Sequence, residues 1–398
     1  MIYFYNFVII TEKYECINCN SCKEIISCPG EWKECFGCMA CYLTCPYEVV
    51  KIKERELKNE VKIIVNGESF HVPEKITIKK ALEIIGYKFG KFIGEGEIFA
   101  PCETGGCYSC AIEVDGKIKP SCITGIYEGM KINTNVDKKL RLIHGWMGHP
   151  VGGVGTPWWL KGRRKYIETA AFACGCNLRC PQCQNWTTTY NSKIKPLSPE
   201  EAAIIMTKTR KLYGVNRIAI SGGECTLNKE WLIEYIKNLR KLNPDGRIHV
   251  DTNATILTKD YIDELIEVGM TDIGIDLKGF YLDTFMKITG LKDKELAKKY
   301  HETSWNSFKY AINYEIFVGI GIPYNKDLIS MEEMAKIGEE IYKINNEVQV
   351  CVLDYRPEFR RMNISRPSFD EMMEIWKLFK SIGLKTVICQ TIYGHIGP

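Results

Sequence analysis

The chain has 398 residues, of which 45% are hydrophobic and 26% are charged, and its formal net charge is +4. These values are typical of a globular protein with several domains, and so small a net charge argues against nucleic acid as a partner. No apolar run reaches the roughly 18–20 residues of a membrane span, so we expect no membrane association. The 19 cysteines require a reducing compartment, which predicts a cytoplasmic location.

Residues 1–57 contain two cysteine groups between two strand-like stretches. An apolar stretch at residues 2–10 precedes the groups, and an alternating stretch at residues 48–53 follows them. Each group has three cysteines spaced three residues apart and a last cysteine that is followed by proline. The first group is Cys16, Cys19, Cys22 and Cys28, and the second is Cys35, Cys38, Cys41 and Cys45. Thiolates that converge on one point favour an iron–sulfur cluster, although zinc takes the same ligands.

This segment resembles the two-cluster bacterial ferredoxins, a family of small α+β proteins with two 4Fe–4S clusters. The second group matches the spacing C-x2-C-x2-C-x3-C-P at every position, whereas the first has two extra residues before its last cysteine. In that family the last cysteine of each group binds the cluster of the other group. The resemblance therefore implies two clusters, one on Cys16, Cys19, Cys22 and Cys45 and one on Cys28, Cys35, Cys38 and Cys41. Only six residues join the two groups, fewer than in typical members of the family. The alternative is therefore that each group binds a cluster of its own.

Residues 58–140 open with two strand-like stretches at 61–67 and 68–73, joined by an Asn-Gly turn, and a helix-like stretch at 77–85 follows. Four cysteines then have the spacing C-x4-C-x2-C with a distant fourth, namely Cys102, Cys107, Cys110 and Cys122. The segment resembles the β-grasp ferredoxins, and above all the 2Fe–2S domain of molybdenum hydroxylases. The resemblance implies that these four cysteines bind a 2Fe–2S cluster, inside a loop whose glycines permit unusual backbone angles.

Residues 141–165 are rich in glycine and proline, which predicts a linker. We expect its Trp158–Trp159 pair and its histidines, His144 and His149, to pack against a neighbouring domain. A histidine ligand to a cluster or metal is the alternative. The basic run at residues 161–165 is either a solvated face or a docking patch for phosphate or a partner.

Residues 166–398 alternate strand-like and helix-like stretches, which predicts an α/β domain with a parallel sheet, open or closed into a partial (β/α) barrel of the TIM type. Strands are predicted at residues 167–173, 217–221, 247–252, 272–277, 313–320, 348–353 and 385–391. Helices are predicted at residues 199–212, 229–242, 258–268, 330–342 and 368–382. In such folds the chemistry gathers at the C-terminal ends of the strands.

A fourth cysteine group follows the first of these strands. Cys176, Cys180 and Cys183 hold only three irons of a 4Fe–4S cluster, so the fourth iron is left open for a substrate or cofactor. This C-x3-C-x2-C spacing resembles the radical S-adenosylmethionine (SAM) superfamily, in which the methionine amino and carboxylate groups chelate the open iron. Cys174, just ahead of the group, aligns with no ligand position.

A Gly-Gly-Glu strip ends the next predicted strand, at Gly222, Gly223 and Glu224. In the superfamily this strip binds the methionine ammonium. The chain is most similar to the pyruvate formate-lyase activating enzymes, and this resemblance implies further SAM contacts at Asp251, Thr252, Asn253, Asp276 and Lys278. The two aspartates are also the positions that hold a monovalent cation in that group, and the alternative is that they only cap strand ends.

Four features of the radical domain depart from the superfamily pattern or lie outside it. Gln182 occupies a position that is usually aromatic or bulky and apolar. Cys225 is either a donor of a hydrogen atom to a product radical, and hence catalytic, or a buried small hydrophobe. Cys351 and Cys389 are expected in the core. Two arginines and a tyrosine lie where substrate groups often bind, and the arginines suit a carboxylate, a phosphate or a surface ion pair: Tyr355, Arg356 and Arg360.

The resemblance implies an oxygen-sensitive, anaerobic radical SAM enzyme with three 4Fe–4S clusters and one 2Fe–2S cluster. It would cleave SAM reductively to a 5′-deoxyadenosyl radical and abstract hydrogen from an unidentified small molecule or protein. Electrons would come from an external low-potential donor through the N-terminal clusters. Two alternatives stay open, an activating enzyme for a glycyl-radical partner and a non-catalytic electron-transfer subunit. Activating enzymes usually carry extra clusters after the radical motif, which weighs against the first alternative.

Overall fold

The computed structural model describes residues 7–13, 16–137, 139–162 and 165–398. The chain divides into two compact units. The first unit contains residues 1–144, 173–177 and 185–198, and the second contains residues 145–172, 178–184 and 199–398. Among the described residues, no helix is both long enough and apolar enough to cross a membrane.

The N-terminal part of the first unit is a two-stranded antiparallel sheet with two short helices. Strands β1 (Phe7–Lys13) and β2 (Val50–Glu56) pair with each other, and helices α1 (Ser21–Ile25) and α2 (Ala40–Thr44) lie between them in the chain. The predicted strand at residues 2–10 overlaps β1, and its residues 2–6 lie outside the described part of the chain. Each helix follows a residue in the left-handed region, Asn20 (φ 59°) and Met39 (φ 62°), so the two cysteine groups share one local geometry.

The rest of the first unit is a five-stranded sheet that packs on helix α3 (Ile78–Ile84). Its strands are β3 (Glu60–Val65), β4 (Glu68–Pro73), β7 (Ala111–Val114), β8 (Lys117–Pro120) and β9 (Lys131–Asn133), in the order β4-β3-β9-β7-β8. Strands β5 (Phe89–Gly90) and β6 (Ile98–Phe99) form a separate pair, and α4 (Trp186–Thr189) also belongs to this unit. The predicted Asn-Gly turn joins β3 to β4, and both of its residues have positive φ angles.

The second unit is built on a nine-stranded sheet in the order β10 to β18. The strands are β10 (Ile143–His149), β11 (Glu168–Ala173), β12 (Arg217–Gly222), β13 (Arg247–Thr252), β14 (Asp272–Asp276), β15 (Phe317–Tyr324), β16 (Gln349–Asp354), β17 (Thr386–Thr391) and β18 (Gly394–Ile396). Neighbours from β12 to β17 are parallel, and β18 is antiparallel to β17. The predicted α/β class is confirmed, and closure into a partial barrel stays a prediction.

Seven helices of the second unit connect these strands. They are α5 (Pro199–Tyr213), α6 (Lys229–Leu242), α7 (Lys259–Glu267), α8 (Leu282–Thr289), α9 (Lys294–Ala311), α10 (Met331–Ile344) and α11 (Phe369–Ile382). Their boundaries follow local sequence rules. Ser368 and Glu371 form a capping box at the start of α11, and Gly383 ends that helix with a φ of 106°. Helices α8 and α9 were not predicted.

A glycine-rich segment, residues 152–156, lies against the strands of this sheet although its composition predicted a linker. A Cβ atom on Gly319 of β15 would lie 2.2 Å from the Val154 carbonyl oxygen, so the two backbones touch. The Gln349 amide nitrogen donates to the carbonyl oxygens of Val154 (3.0 Å) and Thr156 (2.9 Å). Arg217 donates to the Gly155 carbonyl at 3.3 Å. The glycine-rich segment therefore belongs to the interior of the second unit.

The flanks of this segment also contact the second unit. The rings of Trp159 and Phe317 meet edge to face at 5.7 Å. The Lys161 ammonium donates to the carbonyl oxygens of Val151 (3.2 Å) and Gly153 (2.8 Å). Two arginines of the predicted basic run, Arg163 and Arg164, lie outside the described residues.

A buried charge network lies beside the glycine-rich segment. His249 is completely buried between two carboxylates, with Nε2 2.8 Å from Asp251 and Nδ1 3.3 Å from Glu168. Arg217 lies 3.6 Å from Glu168 and 3.0 Å from Asp272. Burial alone would lower the pKa of His249, but the two carboxylates raise it to about 10. Burial would likewise raise the pKa of Glu168, but the adjacent His249 lowers it. At neutral pH the network is therefore charged.

We expect the His249→Ala variant to be less stable than the wild type, because the buried Asp251 would lose the cation beside it and Glu168 would lose one of its positive partners. Removing one partner of a buried ion pair typically lowers the free energy of unfolding by about 3–5 kcal/mol. Urea unfolding followed by tryptophan fluorescence measures the difference. The Lys237→Ala variant, which breaks an exposed pair with Glu234, is the control and should unfold like the wild type. Equal urea midpoints for the wild type and both variants would show that His249 is not the cation of a buried charge network.

The raised pKa of His249 also predicts a pH dependence. A group whose pKa is higher in the folded state stabilises fully below its unfolded pKa, and the effect is lost as the pH rises through the folded pKa. For His249 this window runs from 6.5 to about 10. The free energy of unfolding of the wild type should therefore fall more steeply between these pH values than that of His249→Ala. Parallel pH profiles for the two proteins would show that His249 is neutral in the fold.

Candidate cluster and cofactor sites

The cysteines of the first two groups line two cavities of the first unit. One cavity is lined by three cysteines of the second group and the last cysteine of the first: Cys28, Cys35, Cys38 and Cys41. The other, smaller cavity is lined by three cysteines of the first group and the last of the second: Cys16, Cys19, Cys22 and Cys45. Each cavity thus offers four thiols from both groups, a donor set that fits a 4Fe–4S cluster.

The four thiols of the third group lie together in the interior of the first unit. Cys102, Cys107, Cys110 and Cys122 are all buried. The sulfur atoms of Cys102 and Cys107 are 3.1 Å apart. Cys107 and Cys122 both donate hydrogen bonds to Cys102, which lowers the pKa of Cys102. Cys102, Cys107 and Cys110 lie in a loop with left-handed residues at Glu103, Gly105 and Tyr108. Together with Cys122, which follows β8, they fit the ligand set of a 2Fe–2S cluster.

The fourth group is divided between the units. Cys176 belongs to the first unit, and Cys180 and Cys183 belong to the second. Within the second unit, the Cys183 amide donates to the Cys180 carbonyl at 3.2 Å, so these cysteines form a tight turn. The Pro181 carbonyl oxygen accepts from the amides of Arg360 (2.9 Å) and Arg361 (3.0 Å). The segment after β16, where substrate groups were predicted, thus holds the cysteine turn in place.

Three polar side chains surround Cys180. Burial raises the pKa of Cys180 to about 11, and the nearby Lys278 ammonium opposes that rise. Lys278 also pairs with Asp276 at 2.9 Å. Burial raises the pKa of Tyr355 above its usual range, so its hydroxyl stays protonated, and it lies beside Cys180 and the Gln182 carboxamide. Lys278, Asp276 and Tyr355 are therefore brought together at the cysteine turn.

Gln182 is completely buried in this turn. Its amide nitrogen donates to the Ile288 carbonyl at 3.0 Å, at the end of α8. The Arg179 amide donates to the Thr289 carbonyl at 2.8 Å, one residue further along the same helix. Gln182, which replaces the usual apolar residue at this position, thus anchors the cysteine turn to α8. The sequence did not indicate this contact.

Glu224 joins the ends of two neighbouring strands. Its buried carboxylate accepts hydrogen bonds from the Thr226 amide (3.0 Å) and hydroxyl (2.7 Å). It also accepts from the Thr252 hydroxyl (2.6 Å) and the Asn253 amide (2.7 Å), which lie at the end of β13. Gly222, with a φ of 113°, makes the turn that precedes it. Glu224 therefore fixes the β12 and β13 ends relative to each other. The contact of Thr252 and Asn253 with SAM stays a prediction.

Asp251 and Cys225 differ in surroundings from the other predicted residues. The Asp251 carboxylate accepts from the Gly155 amide at 3.3 Å and contacts His249, so it belongs to the buried charge network. The Cys225 thiol is completely buried and donates to the Asp251 carbonyl at 3.1 Å. Cys351 and Cys389 are buried on β16 and β17, as expected for core residues. Sequence reasoning missed His249, although its spacing of two from Asp251 places both on one face of β13.

Comparisons with known proteins identify two domains in the chain. Residues 171–338 match the family model of the radical SAM superfamily, and residues 58–137 match that of the 2Fe–2S iron–sulfur cluster binding domain. The chain therefore contains a radical SAM domain and a 2Fe–2S ferredoxin domain. A radical SAM domain implies a 4Fe–4S cluster and SAM as its cofactors.

Several curated proteins resemble part of the chain. A probable GTP 3′,8-cyclase of Thermoplasma volcanium is 33% identical over 120 residues, which are 30% of this chain and 35% of that protein. A GTP 3′,8-cyclase of Clostridium botulinum is 32% identical over 114 residues, or 29% of this chain and 35% of that protein. The chain spans about a third of the length of these relatives.

Solved structures are similar at a lower level. SuiB of Streptococcus suis bound to S-adenosylmethionine has a TM-score of 0.43 and 14% identity, over 54% of this chain and 48% of that one. Coproporphyrinogen III oxidase of Escherichia coli, a radical SAM enzyme, has a TM-score of 0.34 and 18% identity, over 46% of this chain and 44% of that one.

Single cysteine variants test which thiols share a cluster. If each cavity holds one 4Fe–4S cluster, Cys45→Ala and Cys16→Ala should remove the same electron paramagnetic resonance (EPR) signal of the reduced protein, and Cys28→Ala and Cys38→Ala should remove the other. The reason is that a cubane missing one of four thiolates is bound more weakly. Reconstituted variants are compared by EPR and iron content, with Cys389→Ala as a buried cysteine control. One group per cluster predicts instead that Cys45→Ala and Cys38→Ala remove the same signal.

Proposed function

We propose that this protein is a radical SAM enzyme that reductively cleaves S-adenosylmethionine and abstracts hydrogen from a substrate, with electrons supplied through its own auxiliary clusters. The match to the radical SAM superfamily across residues 171–338 carries this proposal. When bound, the cluster and SAM supply a 5′-deoxyadenosyl radical as the species that abstracts hydrogen. The three cysteines of the radical motif, Cys176, Cys180 and Cys183, are the proposed ligands.

The residues around Cys180 suit an electron-accepting site. The Lys278 ammonium next to the thiol favours its thiolate form, which is the form that binds iron. A fixed positive charge in a buried place also stabilises negative charge that arrives there, because the local dielectric is low. Tyr355 is nine-tenths buried and helps to close the turn from water. Lys278 is accordingly assigned to charge balance at the radical motif.

The Gly-Gly-Glu strip is assigned to the methionine end of SAM. Because glycine has no side chain, a ligand can approach the backbone closely at Gly222 and Gly223, and the N–H donors of the methionine amino group need backbone carbonyl acceptors of this kind. Glu224 keeps these carbonyls in position because its carboxylate bonds to both strand ends. Thr252 and Asn253, which it binds, are the proposed neighbours of the cofactor on β13.

The contacts of Asp251 and Asp276 do not favour a monovalent cation site. Asp251 contacts the raised-pKa His249, and Asp276 pairs with Lys278. Both carboxylates therefore already balance a positive side chain. Their contacts favour a positioning role at the ends of β13 and β14.

The substrate is left open as a small molecule or a protein. The GTP 3′,8-cyclases share only about a third of their length with this chain, so their substrate is not carried over. The proposed partners are a low-potential electron donor and this substrate. Activation of a glycyl-radical protein and electron transfer without catalysis are the competing functions, and the following experiment separates radical catalysis from electron transfer alone.

The first experiment measures SAM cleavage. The anaerobically reconstituted protein should form 5′-deoxyadenosine from SAM with dithionite, and Cys180→Ala should form none, because two cysteines do not retain the open-iron cluster. Cys389→Ala is the matched control and should keep its activity. Chromatography quantifies the product. Product from Cys180→Ala at the wild-type rate contradicts the proposal, and so does the lack of product in fully loaded wild type with candidate substrates, which favours an electron-transfer subunit.

Substituting Glu224 tests its positioning role. Glu224→Gln replaces the charged acceptor of four hydrogen bonds, and hydrogen bonds to charged groups contribute about 1.5–3 kcal/mol. We therefore expect the affinity for SAM to fall about ten- to a hundredfold, measured by equilibrium dialysis with radiolabelled SAM. Glu371→Gln, at the capping box of α11, alters a carboxylate with a similar local role and should bind SAM normally. Unchanged affinity of Glu224→Gln would contradict the assignment.

A further inference from the structure

We propose that the 2Fe–2S loop is the last cluster site before the radical motif, and that Gly106 and Gly175 set its distance from Cys176. The inference rests on the proposed function, since it assigns the order of that enzyme's electron supply. The contacts that carry it lie within the first unit, to which the 2Fe–2S cysteines and Cys176 belong.

The backbones of the two segments touch at a pair of glycines. A Cβ atom on Gly106 would lie 2.5 Å from the Gly175 nitrogen and 2.9 Å from the Cys174 carbonyl carbon. A Cβ atom on Gly175 would lie 2.6 Å from the nitrogen of Cys107 and 2.9 Å from its Cβ. Neither position has room for a side chain. A proposed 2Fe–2S ligand, Cys107, therefore lies against the residue that directly precedes Cys176.

The segment that leads to Cys176 is held firmly in this place. The Cys174 amide donates to the Leu142 carbonyl at 3.0 Å, and the Gly175 amide donates to the Thr189 carbonyl at 2.9 Å. The fully buried Arg141 side chain donates to the Cys174 carbonyl at 3.2 Å. A backbone fixed on both sides keeps the contact with the 2Fe–2S loop short.

A second contact connects the 2Fe–2S domain to the cavity lined by Cys28, Cys35, Cys38 and Cys41. Phe36, which lines that cavity, packs on Gly125, and a Cβ atom there would lie 2.6 Å from the ring. Gly125 is three residues after Cys122. Arg55 donates to the Cys35 carbonyl at 2.9 Å and to the Lys75 carbonyl at 3.4 Å, which ties the same two parts together.

These contacts define an order of sites. The cavity lined by Cys16, Cys19, Cys22 and Cys45 carries the most exposed of these cysteines, Cys19, and the exposed Ile17, so it is assigned to the external donor. The cavity beside Phe36 comes next, the 2Fe–2S loop third and the radical motif last. Each transfer moves one electron and no proton. The low-potential donor is oxidised by one electron for each electron that reaches the motif.

The Gly106→Ala variant tests the close contact. Gly106 has no positive φ, so the substitution adds a collision with the Gly175 backbone and no backbone strain of its own. Gly116→Ala is the matched control in the same domain, because a Cβ atom there meets nothing within 4 Å even though its φ of 77° makes the substitution the more strained of the two. The full-length, anaerobically reconstituted proteins are reduced with a ferredoxin and freeze-quenched for EPR.

The wild type should show faster spin relaxation of the reduced 2Fe–2S signal once the radical-motif cluster is also reduced. Gly106→Ala should keep its 2Fe–2S absorption but lose this enhancement, and reduction of the radical-motif cluster should slow several-fold, while Gly116→Ala behaves as the wild type. Wild-type relaxation and rate in Gly106→Ala would overturn the inference.

A second measurement does not depend on how Gly106→Ala folds. In otherwise wild-type protein, Cys180→Ala should remove the part of the relaxation enhancement that the wild type gains only once the radical-motif cluster is reduced. The full wild-type enhancement in Cys180→Ala would overturn the inference. The spectra need no SAM cleavage. Relaxation enhancement without 5′-deoxyadenosine therefore supports this inference and counts against the proposed function. Formation of 5′-deoxyadenosine without relaxation enhancement supports the proposed function and counts against this inference.

Discussion

The close contact of two backbones at Gly106 and Gly175 is the constraint on which the arrangement of the first unit depends. It brings a buried group of four thiols next to the strand end that carries Cys176. A side chain at either glycine would separate them, and in the proposed electron supply this distance would set the rate of transfer. The other contacts of this unit, from Arg141 to Phe36, serve to keep short segments in fixed places.

In the second unit, charged side chains hold the backbone segments around the proposed cofactor site in fixed positions. Its parallel strands end beside one another, and Glu224 ties two of these ends together with four hydrogen bonds. Next to the glycine-rich segment, the positive charge of His249 balances the charges of two buried carboxylates, Glu168 and Asp251. Positions that the sequence assigned to cofactor binding thus divide into two kinds. Lys278 lies at the cysteine turn, and Asp251 lies in the charge network.

Local patterns predicted more of this protein than long-range ones did. The grouping of the cysteines and the helix at residues 229–242 could be predicted, because the residues that determine each of them lie close together in the sequence. Helix α9 was missed because its buried face includes Ser304 and Ser307, which interrupt the apolar periodicity. Residues 152–156 were interpreted as part of a linker because glycine predicts loops, whereas their partner Gln349 lies almost two hundred residues away in the chain. The role of Gln182 depends equally on a distant partner, Ile288.

The proposed radical SAM activity requires that SAM bind directly to an open iron of a cluster whose proposed ligands are Cys176, Cys180 and Cys183. Electron–nuclear double resonance on the reduced, fully loaded protein with SAM labelled by ¹⁵N at the methionine amino group tests this most directly. The account predicts hyperfine coupling of that nitrogen to one 4Fe–4S cluster, and loss of the coupling in Cys180→Ala. A protein with its full iron content that shows no coupling would contradict it.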